Sequence, residues 1–293
     1  MKSCWYRVTV NTPVFLEEII TYKLREFGSE GIEIKSLKNE TLEIISYHRS
    51  PVVKNGVESR LVESASIAFP DREFTITVEA EEHKPRDWLK IQADAFGITR
   101  ITEDIIVLPP WEKEKLKPAD RNKTKIVINP GAGFGTGEHP TTRQCIIALR
   151  DYLRKGDKML DIGAGSGILS IAALKFGARE AYAVEIDDDA VKNGIENTGL
   201  NGFESRIHWH HGSMKTFRCR KKFDIIAANI FTYVIMREAE EIKKYAAKSC
   251  RVIFSGITTE SAPVFIKAIS RRGYRLIDTF PEGEWQTFIM ELI

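Results

Sequence analysis

The chain has 293 residues, of which 43% are hydrophobic and 29% are charged, so a disordered or collagen-like protein is excluded and two domains are possible. The formal net charge is only +2, which gives no argument for a nucleic-acid partner. The charge is uneven, because residues 1–120 contain 17 Lys+Arg and 21 Asp+Glu (net −4), whereas residues 121–293 contain 26 and 20 (net +6). An acidic first half favours a basic macromolecular partner over nucleic acid.

Targeting signals and cysteine clusters are both missing from the sequence pattern. No stretch reaches the roughly 20 uninterrupted apolar residues of a membrane helix, and the first residues lead into an alternating pattern instead of a signal-peptide core. A cytoplasmic location is therefore expected. The cysteines Cys4, Cys145, Cys219 and Cys250 include no CxxC pair, so reduced thiols are predicted, with neither a disulfide framework nor a zinc site.

The first half of the chain alternates short strand patterns with helical ones. Residues Trp5–Val10 alternate as a strand does, and apolar residues at helical spacing predict a helix over Phe15–Phe27. The further predicted elements are strands over Ile32–Leu37, Leu42–Tyr47 and Phe74–Val78, a helix over Pro85–Phe96, and an edge strand over Ile105–Leu108. This order predicts a small α+β domain of the ferredoxin-like, split βαβ kind over residues 1–107. The domain has no glycine-rich loop after a strand, so it is expected to recognise a substrate.

The amino-acid composition changes at the start of the second half. Prolines and alternating charge over residues 108–123 predict a linker. The strand patterns that follow are Met159–Asp161, Ala181–Ile186, Arg206–His210, Phe223–Asn229, Arg251–Ser255, Arg275–Thr279 and Thr287–Leu292. Helical patterns separate them until the last pair, which can only form an antiparallel hairpin. Residues 124–293 are therefore predicted to form a doubly wound, seven-stranded α/β domain of the Rossmann-like methyltransferase type.

A glycine-rich turn joins the first of these strands to a helix. Gly163, Gly165 and Gly167 allow a sharp turn and a close approach of the backbone to a ligand. The spacing is shorter than the GxGxxG of dinucleotide sites, where a pyrophosphate lies on the turn. Asp161, beside the turn, would repel phosphates but could hold a ligand ammonium group through water or the backbone. The turn therefore predicts a cofactor without a pyrophosphate.

The next two strands supply the rest of the predicted cofactor site. Glu185 ends its strand 18 residues after Gly167, where a carboxylate can accept hydrogen bonds from both hydroxyls of a ribose. Ser213, at the end of the following strand, is predicted to line an adenine pocket. The turn, Asp161 and Glu185 together predict S-adenosylmethionine; the alternative is an ordinary strand–turn–helix with surface acids. Of the histidines at 208, 210 and 211, only His208 and His210 would share one face of a strand. No third ligand is evident, so no metal site is expected.

A second glycine-rich segment, residues 129–142, precedes the turn. Its four glycines, Phe134 and the pair Thr141 and Thr142 before a helix are typical of a mobile flap that covers a cofactor and excludes water. Later in the chain, the apolar strand that ends at Asn229 delivers this side chain to the predicted catalytic edge. We therefore predict Phe134 and Asn229 as catalytic residues, and Thr141, Thr142 and Asn229 as cofactor contacts.

These segments together resemble the ribosomal protein L11 methyltransferase family, the PrmA type. The resemblance covers the whole chain, and the loop Gly-x-x-Phe-Gly-Thr-Gly-x-His-x-Thr-Thr is its family-specific motif. It implies that Thr142, Gly163, Glu185 and Asn229 bind the cofactor, and that the activity is methylation of lysine and N-terminal amines of one ribosomal protein. The chain departs from the family pattern at two places: Gly133 replaces the usual Ala, and Phe231, Thr232 and Tyr233 replace the usual Leu and small residues after Asn-Ile. In addition, Glu185 replaces the usual Asp, which preserves the chemistry toward a ribose.

The predicted chemistry is an in-line attack of an uncharged amine on the methyl group of a sulfonium. Presenting a lysine as the neutral amine near pH 7 costs roughly 4–5 kcal/mol, which apolar walls such as Phe134, Phe231 or Trp285 would help to offset. Asn229 would orient the amine. His139 is expected to organise the loop, and no histidine is nominated as a base.

Four alternatives remain open at this stage. A methyltransferase for another protein's lysines, or for a small molecule, would share every cofactor feature, although the first domain argues against a small molecule. A nucleic-acid amino-methyltransferase is disfavoured because the Asn-Pro-Pro-aromatic signature is absent after Asn229. A non-catalytic module that senses S-adenosylmethionine would not need a flap. The favoured prediction is a monomer that acts on a basic ribosomal protein, with no membrane and no direct nucleic-acid contact.

Overall fold

A computed structural model describes residues 5–37, 40–50, 53–83, 96–131 and 134–293. Contacts between residues divide the chain into two compact units, Met1–Trp88 and Leu89–Ile293. Most of the predicted helix Pro85–Phe96 lies outside the described residues. Within the described ranges, no helix is both long enough and apolar enough to cross a bilayer.

In its described residues, the first unit is one antiparallel sheet with two α-helices. Its elements are β1 (Trp5–Pro13), α1 (Glu17–Glu26), β2 (Ser29–Ser36), β3 (Thr41–His48), α2 (Lys54–Ala68) and β4 (Thr77–His83). The strand order is β2-β3-β1-β4, and every neighbouring pair is antiparallel. The elements follow one another as β-α-β-β-α-β, which is the order of a split βαβ motif.

Alternation in β1 and helical spacing in α1 create the core of this unit. Val8 and Val10 lie on one face of β1 and are fully buried. They pack with Leu16, Ile20 and Leu24, which recur every four residues and so share one face of the helix. The same sequence pattern that predicts these elements therefore also predicts which side chains form the core.

The fourth predicted strand of this unit begins and ends before the observed strand does. Phe74–Val78 was expected to form it, but the ladder with β1 pairs Asn11 with Thr77 and continues to His83. The apolar alternation stops after Val78 because β4 is an edge strand, whose later positions are acidic and exposed to solvent. Edge strands need no apolar residues on their open side, so the pattern underestimates their length.

The second unit begins with a small three-stranded sheet. Its strands are β5 (Thr99–Arg100), β6 (Ile105–Leu108) and β7 (Thr124–Val127), and β6 and β7 are parallel. The predicted linker, 108–123, is the crossover between them and forms two short 3-10 helices. Asp120 in this crossover is buried and forms an ion pair with Arg100 at 2.6 Å. The segment therefore belongs to the second unit, and the division into units lies earlier than the sequence predicts.

The larger sheet has the predicted seven strands. They are β8 (Lys158–Ile162), β9 (Glu180–Glu185), β10 (Ile207–His211), β11 (Phe223–Asn229), β12 (Ala246–Thr258), β13 (Tyr274–Glu282) and β14 (Trp285–Leu292). The order is β10-β9-β8-β11-β12-β14-β13. The first five strands in this order are mutually parallel, and β14 is antiparallel to both of its neighbours. The prediction of a doubly wound sheet that ends in an antiparallel hairpin is confirmed.

Helices cover both faces of this sheet. They are α3 (Pro140–Tyr152), α4 (Ile168–Lys175), α5 (Asp188–Leu200), α6 (Thr232–Lys243) and α7 (Ala262–Ser270). Met159 and Ile225 pack into one buried cluster with α3 and α4, whereas Leu160 and Ile226 pack into the other with α6 and α7. The strand order reverses between β8 and β11, so the carboxyl ends of these strands form the edge where ligands bind in such sheets.

Candidate functional site

The glycine-rich turn after β8 is shaped by its protein neighbours. Gly163, Gly165 and Gly167 have φ values of 70°, 53° and 78°, which favour glycine. A Cβ on Gly163 would overlap Cγ2 of Ile230, and one on Gly165 would lie 2.5 Å from the carbonyl oxygen of Phe134. The prediction that these glycines make room for a ligand is therefore incomplete, because they first make room for the neighbouring strand and loop.

Asp161 lies behind the turn, in the interior. Its side chain is 1% exposed, and Oδ2 accepts hydrogen bonds from the backbone N–H (3.0 Å) and hydroxyl (2.8 Å) of Ser170. Burial raises the pKa of this carboxyl to about 7, although the Ser170 bonds oppose the rise. The carboxyl group thus supports the first turn of α4. The predicted role of Asp161, to hold a ligand ammonium group through water or the backbone, stays a prediction.

Glu185 connects the end of β9 to the glycine-rich turn. Its Oε2 accepts a hydrogen bond from the N–H of Gly165 at 2.9 Å. Its Oε1 accepts from the N–H groups of Ile186 (2.8 Å) and Asp187 (3.1 Å). The structure therefore brings together the two segments that the sequence assigns to the cofactor, and the carboxylate is fixed at the sheet edge by three backbone donors.

The glycine-rich loop is attached to this turn at Phe134 and Gly135. The N–H of Ser166 donates to the carbonyl of Phe134 at 2.9 Å, and the Ser166 hydroxyl donates to the carbonyl of Gly135 at 2.6 Å. The ring of Phe134 is 42% exposed and meets the ring of His139 edge-on, which in turn meets Trp285. Gly133, a departure from the family pattern, lies outside the described residues.

His139 and the two threonines form the start of α3. Nδ1 of His139 accepts from the N–H of Thr141 at 3.3 Å and lies 2.8 Å from its hydroxyl. Burial, with Arg143 nearby, lowers the pKa of His139, which keeps the imidazole neutral and able to accept. Thr142 is fully buried, and its hydroxyl has no hydrogen-bonding partner in the described part of the chain. Buried hydroxyls are normally paired, so Thr142 fits a site that a ligand completes.

Asn229 and Ser213 lie at the same edge of the sheet. Asn229 ends β11 opposite Ser255 and is half-buried. Ser213 follows β10, where the N–H of Gly212 donates to the carbonyl of Glu185 at 2.7 Å. The structure thus collects the glycine-rich turn, Glu185, Ser213, Asn229 and the loop at one edge, with Asp161 beneath it.

The three histidines of β10 bond separate partners. His208 lies 3.3 Å from Glu180, His210 lies 3.1 Å from the Thr216 hydroxyl, and His211 lies 3.1 Å from the carbonyl of Ile186. Among the residues that the structure describes, no group of three or more His, Cys, Asp or Glu could hold a metal ion.

Several polar residues that support this edge were missed from the sequence. Thr287 of β14 donates to Gln144 of α3 at 2.7 Å, and Gln144 donates to the carbonyl of Trp285 at 3.1 Å, so the last strand fixes the start of α3. On α5, Asn193 and Asn197 hold the start of the glycine-rich loop. An asparagine at every fourth position of a helix is a signal in the sequence that could have found the second group.

Three comparisons with known proteins all find similarity to ribosomal protein L11 methyltransferases. A family model described as "Ribosomal protein L11 methyltransferase (PrmA)" matches residues 4–292. A ribosomal protein L11 methyltransferase of Lactococcus lactis subsp. cremoris (strain MG1363) is 30% identical over 311 residues, covering 98% of this chain and 96% of its own length. One from Streptococcus pyogenes serotype M6 is 29% identical over 309 residues, with the same shares. The crystal structure of ribosomal protein L11 methylase from Lactobacillus delbrueckii subsp. bulgaricus is similar at a TM-score of 0.62 and 27% identity, covering 67% of this chain and 99% of that one.

Proposed function

Because this chain belongs to the ribosomal protein L11 methyltransferase family, we propose that it methylates ribosomal protein L11 at lysine and N-terminal amines. The protein is a methyltransferase with the Rossmann-like fold of such enzymes, and S-adenosylmethionine is its methyl donor. The observation that carries the choice of substrate is the extent of the family match, which spans 4–292 and so includes the whole described part of the first unit. The presence of that unit argues against a small-molecule substrate.

The residues at the sheet edge suit an adenosine and an amino-acid tail. We assign the ribose hydroxyls to Glu185, whose carboxylate is already fixed at the turn, and the adenine side to Ser213. The hydroxyl of Thr142, which no described residue bonds, offers a donor and an acceptor. The cofactor supplies a methyl group on a positively charged sulfur, which makes that carbon open to attack by a nucleophile.

The acceptor side of the site requires a neutral amine. An ordinary lysine has a pKa of about 10.4, so its deprotonation near pH 7 costs roughly 4–5 kcal/mol. The neutral side-chain amide of Asn229 cannot stabilise an ammonium as a carboxylate would, but its oxygen can accept an N–H of the free amine and so fix the direction of the lone pair. The exposed ring of Phe134 would exclude water and disfavour the charged form.

The first unit is proposed to recognise the protein substrate. Residues 1–88, which form this unit, carry 12 basic and 15 acidic side chains, and ribosomal proteins that bind RNA present basic surfaces. Charge complementarity of this kind increases the rate of association and decreases with salt. We therefore expect the KM for L11 to rise with ionic strength while the Kd for the cofactor changes little.

The test is methyl transfer from labelled S-adenosylmethionine to purified L11, with the modified amines located by mass spectrometry of peptides. Asn229→Ala is expected to lower turnover at least about tenfold while the Kd for S-adenosylhomocysteine stays within about twofold. Glu185→Ala, the matched variant on the cofactor side, is expected to weaken that binding about tenfold or more. Wild-type protein that binds S-adenosylhomocysteine but labels no amine of L11 would refute the proposed substrate, and label on another protein in a cell extract would replace it.

A further inference from the structure

Three asparagines, two in α5 and one directly after its last residue, face the strand and loop that precede α3. Asn193, Asn197 and Asn201 recur every four residues, so they share one face of the helix. Asn197 is the central one and is fully buried. Its side-chain oxygen accepts the N–H of Asn129 at 2.7 Å, and its side-chain nitrogen donates to the carbonyl of Ser166 at 3.0 Å. One amide therefore bridges the start of the glycine-rich loop and the glycine-rich turn.

The start and the middle of the glycine-rich loop both connect to this amide. At the start, Asn193 holds the same residue as Asn197, by donating to the carbonyl of Asn129 at 3.1 Å. In the middle, Ser166 donates its N–H and its hydroxyl to the carbonyls of Phe134 and Gly135. Since Ser166 is in turn held by Asn197, the chain of bonds runs from the start of the loop to its middle through a single side chain.

The chemistry of the position explains why an amide is needed. The side chain must accept from one backbone N–H and donate to one backbone carbonyl at the same time, which an aspartate or an aliphatic residue cannot do. In a buried position either backbone group would otherwise be left without a partner. Thr198, the next residue, instead bonds back to Gly194 in its own helix at 2.8 Å. The bridging contacts are therefore specific to Asn197 and its neighbours on that face.

We propose that Asn197 is a positioning residue for methyl transfer, which sets the glycine-rich loop against the glycine-rich turn so that both present their groups to the cofactor. The proposal rests on the proposed use of this edge for S-adenosylmethionine. Asn197 acts through the turn and through Phe134, and it touches neither the cofactor nor the acceptor. Its loss should therefore change the affinity for the cofactor more than the rate of the chemical step.

Asn201 provides a matched control on the same helix face. Its side chain bonds both the N–H (3.1 Å) and the carbonyl (2.7 Å) of Val127, at the end of β7, and reaches neither the loop nor the turn. Asn197→Ala removes two bonds to the backbone and Asn201→Ala removes three, the third being to the carbonyl of Asn197 at 2.8 Å, so both are expected to lower the melting temperature. Only Asn197→Ala is expected to raise the Kd for S-adenosylhomocysteine and the KM for S-adenosylmethionine, by about tenfold. The kcat of both variants at saturating cofactor is expected to stay within about threefold of the wild-type value.

Calorimetric titration of S-adenosylhomocysteine into the full-length variants decides the question, with methylation kinetics as the second readout. Equal effects of the two substitutions on Kd, or no effect of Asn197→Ala, would overturn the proposal. If Asn197→Ala does not fold, Asn193→Ala takes its place, because Asn193 holds the same residue, Asn129, by its carbonyl; an unchanged Kd would then overturn the proposal. Wild-type protein that binds S-adenosylhomocysteine without methylating L11 would contradict the proposed function alone, since the comparison of Kd values would remain valid.

Discussion

Replacement of Thr142 by valine should stabilise the protein while weakening its cofactor site. The hydroxyl is buried and has no hydrogen-bonding partner among the described residues. In proteins, burying a hydroxyl without a partner costs about 1–3 kcal/mol, and valine has nearly the same shape as threonine. Thr142→Val is therefore expected to raise the free energy of unfolding of the ligand-free protein by about 1 kcal/mol. For a unit of this size that corresponds to a rise in melting temperature of roughly 2–4 °C.

The same substitution removes a group that a bound cofactor could use. Loss of one hydrogen bond corresponds to about 0.5–1.5 kcal/mol, so the Kd for S-adenosylhomocysteine should rise about two- to tenfold. Thr141→Val is the control, because the Thr141 hydroxyl is equally buried but lies 2.8 Å from Nδ1 of His139. That variant is expected to lose about 1 kcal/mol of stability. Urea denaturation and calorimetric titration measure both quantities.

Two results would refute the reasoning on Thr142. A loss of stability comparable to that of Thr141→Val would mean that the hydroxyl has a partner in the ligand-free protein. A gain of stability with an unchanged Kd for S-adenosylhomocysteine would mean that the hydroxyl is unpaired but does not face the cofactor. The opposite signs of the two expected effects make an indirect explanation through global destabilisation impossible.

Two further substitutions test the turn itself. Gly163→Ala should lower the free energy of unfolding, measured in urea, by about 2–4 kcal/mol, because the position combines a positive φ with overlap of the new Cβ against Ile230. Gly202→Ala is the control: its φ is 74° but the space around it is open, so it should lower the free energy of unfolding by only about 1–2 kcal/mol. Equal losses would contradict the overlap at Gly163. Asp161→Asn tests the raised pKa of Asp161, which is about 7 in the folded protein and 3.8 ordinarily. Between these two pH values the folded protein keeps a proton that the unfolded chain has released. The contribution of this carboxyl group to the free energy of unfolding therefore falls as the pH rises from about 4 to about 7. The wild-type stability relative to Asp161→Asn should therefore decrease from pH 5 to pH 7, and a difference that is independent of pH would contradict the assignment.

Much of the larger sheet could be predicted because its central strands are buried on both faces. Such strands are continuous apolar runs, and β11 has the predicted bounds, Phe223–Asn229. The short strand β7 was missed, since four residues carry too little pattern and its position depends on pairing with β6, which precedes it by a long crossover. The error in the position of the linker, 108–123, has the same cause, because prolines and charges do not reveal that both flanking strands pair with each other.

The candidate site was predictable to the level of segments but not of contacts. The carboxyl ends of parallel strands meet at one edge, so the turn after β8 and Glu185 had to lie close together. Two contacts could not be predicted from the sequence: the hydrogen bond from the N–H of Gly165 to the carboxylate of Glu185, and the bonds from Ser170 to the buried carboxylate of Asp161. Both depend on side-chain directions that are fixed by packing. The spacing of asparagines on α5 was visible, but their partners lie more than thirty residues away in the chain.

The position of β14 has a consequence for how the protein is made. This strand lies between β12 and β13, although both are synthesised before it, so β13 leaves the ribosome without a neighbour to pair with. β14 also carries Trp285 and Thr287, which contact His139 and Gln144 at the start of α3. A nascent chain can therefore fold its first unit while it is still growing, but the cofactor edge is completed only after the final strand has been translated. A chain interrupted before Trp285 would carry every glycine of the site and still be unable to assemble it.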